Sequence, residues 1–302
     1  MANNKIPVVM INWDAIDVTK GCVESLWQDS DMSQIEIVVI DNGSTDADNV
    51  NQLSQLQAEK KITRVLSFKE NMGFSVAFNM GFSETEGEVL CYMSNDCRVQ
   101  AGWLDAALAT LRTNNRIAAV CSNVDTPEYA AINKEDIELE QLYGAIMLVR
   151  RSAWDDIGCF DYINFSPAYS EELDWSYRAI RKGYKLMCSG KSNAYHIDHA
   201  TMDKKYDREE IHLIRLKHRV KCRLINHSVI KLVGNIRQYW SEIKEDLRNG
   251  TFKLFVSALV YNIRLLPSLM VERRKRMRRE KIEFALKYKT VVDGGMDRIS
   301  LL

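Results

Sequence analysis

Three carboxylates crowd one turn near the middle of this chain, Glu171, Glu172 and Asp174, and a histidine follows at 196. Like charges set this close raise one another's pKa, which suits one member to take a proton as general base. His196, with Asp198 and His199, forms a group of potential cation ligands. Asp96, at the end of Ser94-Asn95-Asp96, is a hard oxygen ligand for a divalent ion bridging a diphosphate. Asp41 opens the run Asp41-Asn42-Gly43-Ser44-Thr45-Asp46. A carboxylate there can accept a base N–H, and the backbone N–H groups after it can face an anion. Asn71-Met72-Gly73, with Asn79 and Gly81 downstream, is placed for a phosphate or ribose contact. Plainer readings stand beside each of these. Asp, Asn, Gly and Ser suit turns and helix caps, and acidic residues suit a helix N-terminus.

The elements around these residues explain why they belong together. Apolar runs at Ile6–Ile11, Ile35–Ile40, Ile62–Ser67, Val89–Met93 and Ile117–Cys121 read as buried strands. Helical patterns follow Asn12 (Val18, Cys22, Leu26 and Trp27 on one face) and cover Val50–Lys60, Gly73–Glu84 and Trp103–Leu111. A strand at Ala145–Val149, a helix with Trp154 and Ile157, and a helix from Glu171 to Arg181 come next. Alternation of this kind predicts an α/β fold with a parallel sheet between helices. Ligands bind such sheets beyond the carboxyl ends of the strands, where Asn12, Asp41 and Asp96 all fall. Residues 122–140 read as a polar loop, and the chain beyond about 205 reads as helical.

Composition narrows the field. Residues 1–200 carry 17 Lys and Arg against 29 Asp and Glu, while residues 201–302 carry 24 against 12. A basic C-terminal third implies either docking on the acidic body or an anionic partner. The seven cysteines are odd in number and form no C-x-x-C, which argues for a reducing compartment rather than a disulfide framework or zinc site. The first residues lack the apolar core of a signal peptide. No run of about 18 uncharged apolar residues occurs, so the chain is expected not to span a membrane. P-loop, G-x-G-x-x-G and G-x-S-x-G motifs are absent, which sets aside three common nucleotide and hydrolase readings.

Taken in order, VVMINWDAIDVTKGCVESLWQ, VVIDNGSTDAD, ENMGFSVAFNMGF, CYMSNDCRV, GAIMLVRRSAWDDIGCFD, SEELDWSYRAIRKGY and AYHIDHAT resemble a family 2 glycosyltransferase of the GT-A fold, nearest its rhamnosyltransferase-like branch. The resemblance covers roughly residues 1–201. It implies a Rossmann-like mixed, mostly parallel sheet flanked by helices, with a catalytic domain over 1–204 and a basic helical region over 205–302. It implies inverting transfer from a UDP- or dTDP-sugar to a lipid-linked or cell-surface glycan, assisted by Mg2+ or Mn2+. Carried onto this sequence, Asp41 reads the nucleobase, and Asn12 sits where the family also contacts the nucleotide. Asp96 is the last aspartate of the D-x-D motif, Glu172 matches the catalytic base with Glu171 beside it, the choice between the two staying open, and His196 completes the metal or diphosphate site. Asn71, Gly73, Asn79 and Asn95 join the expected nucleotide-sugar contacts. Two departures stand out: Ser94 replaces the first aspartate of D-x-D, and Glu172 stands where aspartate is common.

The tail combines an apolar helical pattern over 252–271 with the basic run Glu272–Lys281, the pattern of an interfacial anchor on an anionic membrane. A helix packed on the catalytic domain with a solvated charge run is the alternative; the family resemblance favours the membrane surface and implies a cytoplasmic protein, peripheral at the membrane's inner face. A glycosyltransferase that modifies nucleic acid, as some viral family members do, is the second reading, which the basic C-terminal third fits; nucleic acid is the less favoured partner, since no nucleic-acid fold signature accompanies the charge. A catalytically inactive GT-A-like binding protein is the third reading, kept open by Ser94.

Overall fold

The structure, a computed structural model, describes residues 5–126, 134–143, 145–197, 206–293 and 296–301. Strand β1 (Ile6–Asn12) runs parallel to β2 (Ile35–Asp41), and β2 runs parallel to β3 (Arg64–Phe68). On the other side of β1 lies β4 (Val89–Met93), also parallel. Helices α1 (Ile16–Asp29), α2 (Ala47–Ala58) and α3 (Phe74–Ser83) connect these strands. The strands are apolar on both sides because both sheet faces are covered. Val8, Met10 and Val39 pack with Leu26 and Trp103, while Val9, Ile40 and Tyr92 pack with Phe78 and Trp154.

Past β4 the sheet becomes mixed. Strand β8 (Ile146–Arg150) lies antiparallel to β4, and β6 (Ile117–Asp125) lies antiparallel to β8. Strand β9 (Lys185–His196) is parallel to β6 and carries β5 (Cys97–Val99) and β7 (Ile137–Glu138) antiparallel to itself. Helices α4 (Trp103–Arg112), α5 (Arg151–Ile157) and α6 (Glu171–Arg181) complete this part. The loop expected at 122–140 is shorter than its polarity implied. β6 continues to Asp125, β7 falls within the segment, and 127–133 lie outside the described residues.

The C-terminal region is helical over α7 (Arg208–Asn226), α8 (Val229–Gly234), α9 (Ile236–Arg248), α10 (Phe252–Arg264) and α11 (Leu266–Met277). The end of the chain is not helical, contrary to expectation. Strands β10 (Tyr288–Asp293) and β11 (Met296–Leu301) pair antiparallel, and β11 joins the sheet parallel to β3. The cue was present in Thr290-Val291-Val292 before Asp293-Gly294-Gly295, β-branched residues leading into turn residues. Among the described residues, no single helix is long and apolar enough to cross a membrane.

Candidate active site

Register sets the first part of the site. Asn12 and Asp41 are partners at the ends of β1 and β2. Asn12 Nδ2 donates to Asp41 Oδ1 at 3.3 Å, and the Ser44 hydroxyl donates to the same oxygen at 2.5 Å. Asn12 Oδ1 accepts from Thr19 Oγ1 at 2.9 Å, and Thr19 Oγ1 accepts from Asn95 Nδ2 at 2.9 Å. One hydrogen-bonded chain therefore runs from Ser44 to the residue before Asp96. Burial pushes the Asp41 carboxyl above its ordinary range; Ser44, Asn12 and the charge of Arg298 offset only part of that rise. Arg298 comes from β11, in register with Ser67, which is itself in register with Asp41. Sequence reasoning missed it because the hairpin was not foreseen.

Three amides expected to face a ligand are otherwise engaged. Asn12 and Asn95 are buried and spend their side chains on the chain just described, so they position Asp41 and the Asp96 turn. Asn79 is buried too. Its Nδ2 donates to the Phe160 carbonyl at 3.0 Å and its Oδ1 accepts from the Phe160 N–H at 3.0 Å, which clamps the segment after α5. Asn71 and Gly73 form a turn. Asn71 Oδ1 accepts from the Gly73 N–H at 2.8 Å, and Asn42 Oδ1 accepts from the Met72 N–H at 2.9 Å. Gly73 has φ +82°, and a Cβ there would sit 3.0 Å from the Pro167 oxygen. The Phe74 N–H donates to that oxygen at 2.7 Å, so this turn docks directly on the loop ahead of α6.

The second part lies where β5 meets β9. Cys97 and His196 are register partners, which brings His196 beside Asp96. His196 Nε2 lies 2.9 Å from Asp96 Oδ1, and the Ser94 hydroxyl donates to that oxygen at 2.5 Å. Burial raises the Asp96 carboxyl, but the hydrogen bond and charge of His196, with Ser94, outweigh it and leave Asp96 below the usual range. Ligand atoms of Asp96, Cys97 and His196 lie within 4.8 Å of one another. Burial pushes the Cys97 thiol far up, so it is a neutral neighbour while the oxygen and imidazole nitrogen suit a divalent ion. Asp198 and His199 lie outside the described residues.

The third part is the start of α6. Tyr169 and Ser170 both take φ +75°, which turns the chain sharply before Glu171. Glu171 is 3% exposed, whereas Glu172 is partly exposed. The Oε2 atoms of both are buried without a hydrogen-bond partner, a costly arrangement that calls for an explanation. Burial raises both carboxyls, and Glu171 is pushed further by the charge of Glu172. After the larger effect of its burial, the charges of Glu172 and Glu171, and further down that of Asp96, raise the Tyr92 hydroxyl, so the start of α6 and the Asp96 turn both lie within electrostatic reach of β4.

The C-terminal helices hold this loop, a role that sequence reading did not assign. His218 Nδ1 lies 2.7 Å from the Ala168 carbonyl and 3.1 Å from that of Tyr169, and Lys221 Nζ donates to the Asn164 carbonyl at 2.6 Å. Burial drops His218 to about 4, so its ring is neutral at pH 7. Arg276, within the basic run, is 2% exposed and bridges Asp161 and Asp174, its Nε 3.2 Å from Asp174 Oδ1. Arg273 donates to the carbonyls of Leu224 and His227. Part of the presumed membrane-facing charge thus points inward.

This arrangement of sheet, Asp96–His196 pair and carboxylate-led helix defines a GT-A architecture. The structure of GalNAc-T7 with UDP, GalNAc and Mn2+ superposes with TM-score 0.65 at 16% identity, covering 87% of this chain and 57% of that one. That of S. aureus TarS 1-349 in complex with UDP-GlcNAc gives 0.62 at 15%, covering 99% and 96%. The Pyrobaculum calidifontis mannosyltransferase PcManGT with GDP-Man and Mn2+ gives 0.56 at 13%, covering 91% and 74%. The profile of Glycosyl transferase family 2 matches residues 8–178, more than half of the sequence, and the chain belongs to that family. The Glycosyltransferase AglE of Haloferax volcanii is 25% identical over 168 residues, 51% of this chain and 54% of its own length. An uncharacterized protein of Sinorhizobium fredii, y4gI, is 21% identical over 227 residues, 65% of this chain but 25% of its own length. The chain therefore spans about half or less of these two relatives.

Proposed function

We propose that the protein is an inverting glycosyltransferase that moves a sugar from a nucleoside-diphosphate donor to an acceptor hydroxyl. Asp41 receives the nucleobase and Asp96 lies by the diphosphate. The donor is a UDP- or dTDP-sugar, and the acceptor is a glycan carried on a lipid at the inner face of the membrane or destined for the cell surface. Residues 1–204 carry both sites, and residues 205–302 buttress them.

The observation that carries this reading is the pair of buried carboxylate oxygens on Glu171 and Glu172 without a hydrogen-bond partner, on a helix whose preceding loop docks on the turn after β3. Glu172 is the base, because it is partly exposed, whereas burial first and then the charge of Glu172 push the more deeply buried Glu171 toward the neutral form. It takes the acceptor hydroxyl proton as that oxygen bonds to the anomeric carbon. The bond from that carbon to the diphosphate breaks in the same displacement, which inverts the centre. A raised carboxyl pKa makes Glu172 a stronger base once ionised, nearer to what proton abstraction at neutral pH requires. Asp96 and His196 are the residues that would hold Mg2+ or Mn2+; Asp96, kept ionised, meets the charge requirement. When bound, the ion would neutralise charge that grows on the leaving diphosphate. Ser94 supplies no second carboxylate and instead orients Asp96.

The deciding experiment is a panel of nucleotide sugars with Mg2+ or Mn2+, read as nucleoside-diphosphate release for the wild type and Glu172→Gln. Release by the wild type that Glu172→Gln abolishes is the expected result. Equal release by both removes the base assignment, and no release from any donor removes the catalytic reading.

A further inference from the structure

We infer that helices α8, α9 and α10 form a membrane-insertion face that seats its apolar side chains in the headgroup layer of an anionic bilayer. The inference deepens the reading of a lipid-carried acceptor and rests on it for its purpose. Its physical basis is independent and begins with α10. The inward side of that helix is spent on packing. Ala258 and Asn262 are fully buried, and Asn262 Nδ2 donates to the Lys217 carbonyl of α7 at 3.0 Å. A helix on a water-soluble surface should then be polar on its other side. Instead Phe252, Val256, Leu259, Val260 and Ile263 face outward, Ile263 being 58% exposed.

A second set of exposed apolar side chains lies on α8 and α9. Val229, Val233, Ile236, Trp240 and Leu247 recur at spacings of four, three, four and seven, and all are exposed. Ile230 is 85% exposed and Trp240 59%. Fourteen of the twenty-three exposed large apolar side chains among the described residues lie between 229 and 277. Scattered single apolar residues need no explanation, but a concentration of this kind marks a binding surface.

Charge selects the occupant. Residues 229–281 hold thirteen Lys and Arg against five Asp and Glu. Arg273 and Arg276 turn inward, but Arg237, Lys244, Lys253 and Arg264 are exposed within α9 and α10 themselves. A second copy of this face would bring like charges together. Nucleic acid would satisfy the bases and leave the apolar stripes in water. An anionic leaflet satisfies both at once. The helices lie on it rather than through it, since the 13 residues of α10 reach only about 20 Å against a hydrocarbon core of about 30 Å, and α11, which would have to extend the span, bends away by 74° and turns Arg273 and Arg276 inward. This face is one helix from the chemistry: α10 packs on α7, whose His218 holds the loop before Glu171.

The test uses the full chain and sedimentation with phosphatidylcholine vesicles, with and without phosphatidylglycerol. Wild type is expected to sediment only with the anionic vesicles and to lose binding as salt rises. The double variant Ile230→Asp/Trp240→Asp, and separately Val256→Asp/Val260→Asp, should weaken binding at least about tenfold. Lys253→Gln should weaken it about fivefold, the effect of one base near an anionic surface. Circular dichroism and melting temperature verify that the variants fold. Nucleoside-diphosphate release with a soluble acceptor should stay at the wild-type level in each, which separates failure here from failure of the catalytic reading. The inference is overturned if folded wild type ignores anionic vesicles or if the apolar variants bind them as well as wild type. It is equally overturned if those variants change the oligomeric state instead.

Discussion

Replacing Arg276 with methionine should damage both stability and turnover, although the residue sits in a basic run 104 positions beyond Glu172. Its guanidinium is buried between Asp161 and Asp174. Burial disfavours that charge, yet the two carboxylates more than compensate and hold Arg276 firmly protonated. Breaking a buried ion pair by removing one partner costs about 3–5 kcal/mol. The lower end applies here, because Asp174 keeps Arg178 Nε at 2.8 Å and Asn226 Nδ2 at 2.8 Å, and Asp161 keeps Asn164 Nδ2 at 2.7 Å. A loss of about 3 kcal/mol lowers the melting temperature by roughly 6 °C in a chain of this size. Asp174 is two residues from Glu172 in the first turn of α6, so kcat should fall more than KM rises. The pH dependence has a definite sign. Burial raises the Asp174 carboxyl, but Arg276 and Arg178 outweigh it and depress its folded pKa. Stability from that depression is present above the unfolded value of about 3.9 and is lost as pH falls through the folded value. The gap between wild type and Arg276→Met should therefore be full at pH 7 and narrow in acid. Thermal melts followed by circular dichroism at the two pH values measure it, with the exposed Arg274→Met as a control expected to change little. A variant that melts with the wild type at pH 7, or a deficit that does not narrow in acid, refutes the argument.

Four further perturbations probe the site itself. Glu172→Gln should cut turnover at least ~100-fold without unfolding the protein, as measured by nucleoside-diphosphate release. Glu171→Gln should raise the melting temperature at pH 8 relative to wild type and not at pH 4. The folded pKa of Glu171 is raised, so its ionisation erodes stability as pH climbs. Asp96→Ala should lose at least ~100-fold in turnover and abolish any Mn2+-dependent thermal shift seen with UDP. Asp41→Asn should raise the donor KM about tenfold while leaving kcat nearly unchanged, since Asp41 is assigned to the nucleobase rather than to the reacting centre.

The alternation of strands and helices up to Arg181 was readable because the main strands are buried on both faces and helices such as α1 and α4 on one, while α3 is apolar and buried nearly all round. The positions of Asp41 and Asp96 at strand ends were readable because each closes an apolar run, and the start of α6 because three carboxylates suit a helix N-terminus, whereas the chemistry proposed for them comes from the family resemblance. The amides misled. Asn12, Asn79 and Asn95 follow the same pattern, but an amide satisfies backbone or hydroxyl partners as readily as a ligand, and only coordinates show where its two ends go. His218 and Lys221 carried no local cue at all, because what they hold lies about fifty residues away.

The basic run shows most sharply what a charge count leaves out. Glu272 to Lys281 reads as one block of cation, yet its residues have different fates set by helical phase. Leu269, Arg273 and Arg276 recur at spacings of four and three and so share the inward side of α11, where Leu269 packs against Cys222 and Ile225. The same phase carries Arg276 to two carboxylates that would otherwise be buried without it. Arg274, Lys275 and Arg278 fall on the other side and stay in solvent. Shifting the register of α11 by one residue would expose Arg276 and bury Lys275 or Met277. The ion pair that steadies α6 and the cations left in solvent are therefore two consequences of one helical repeat.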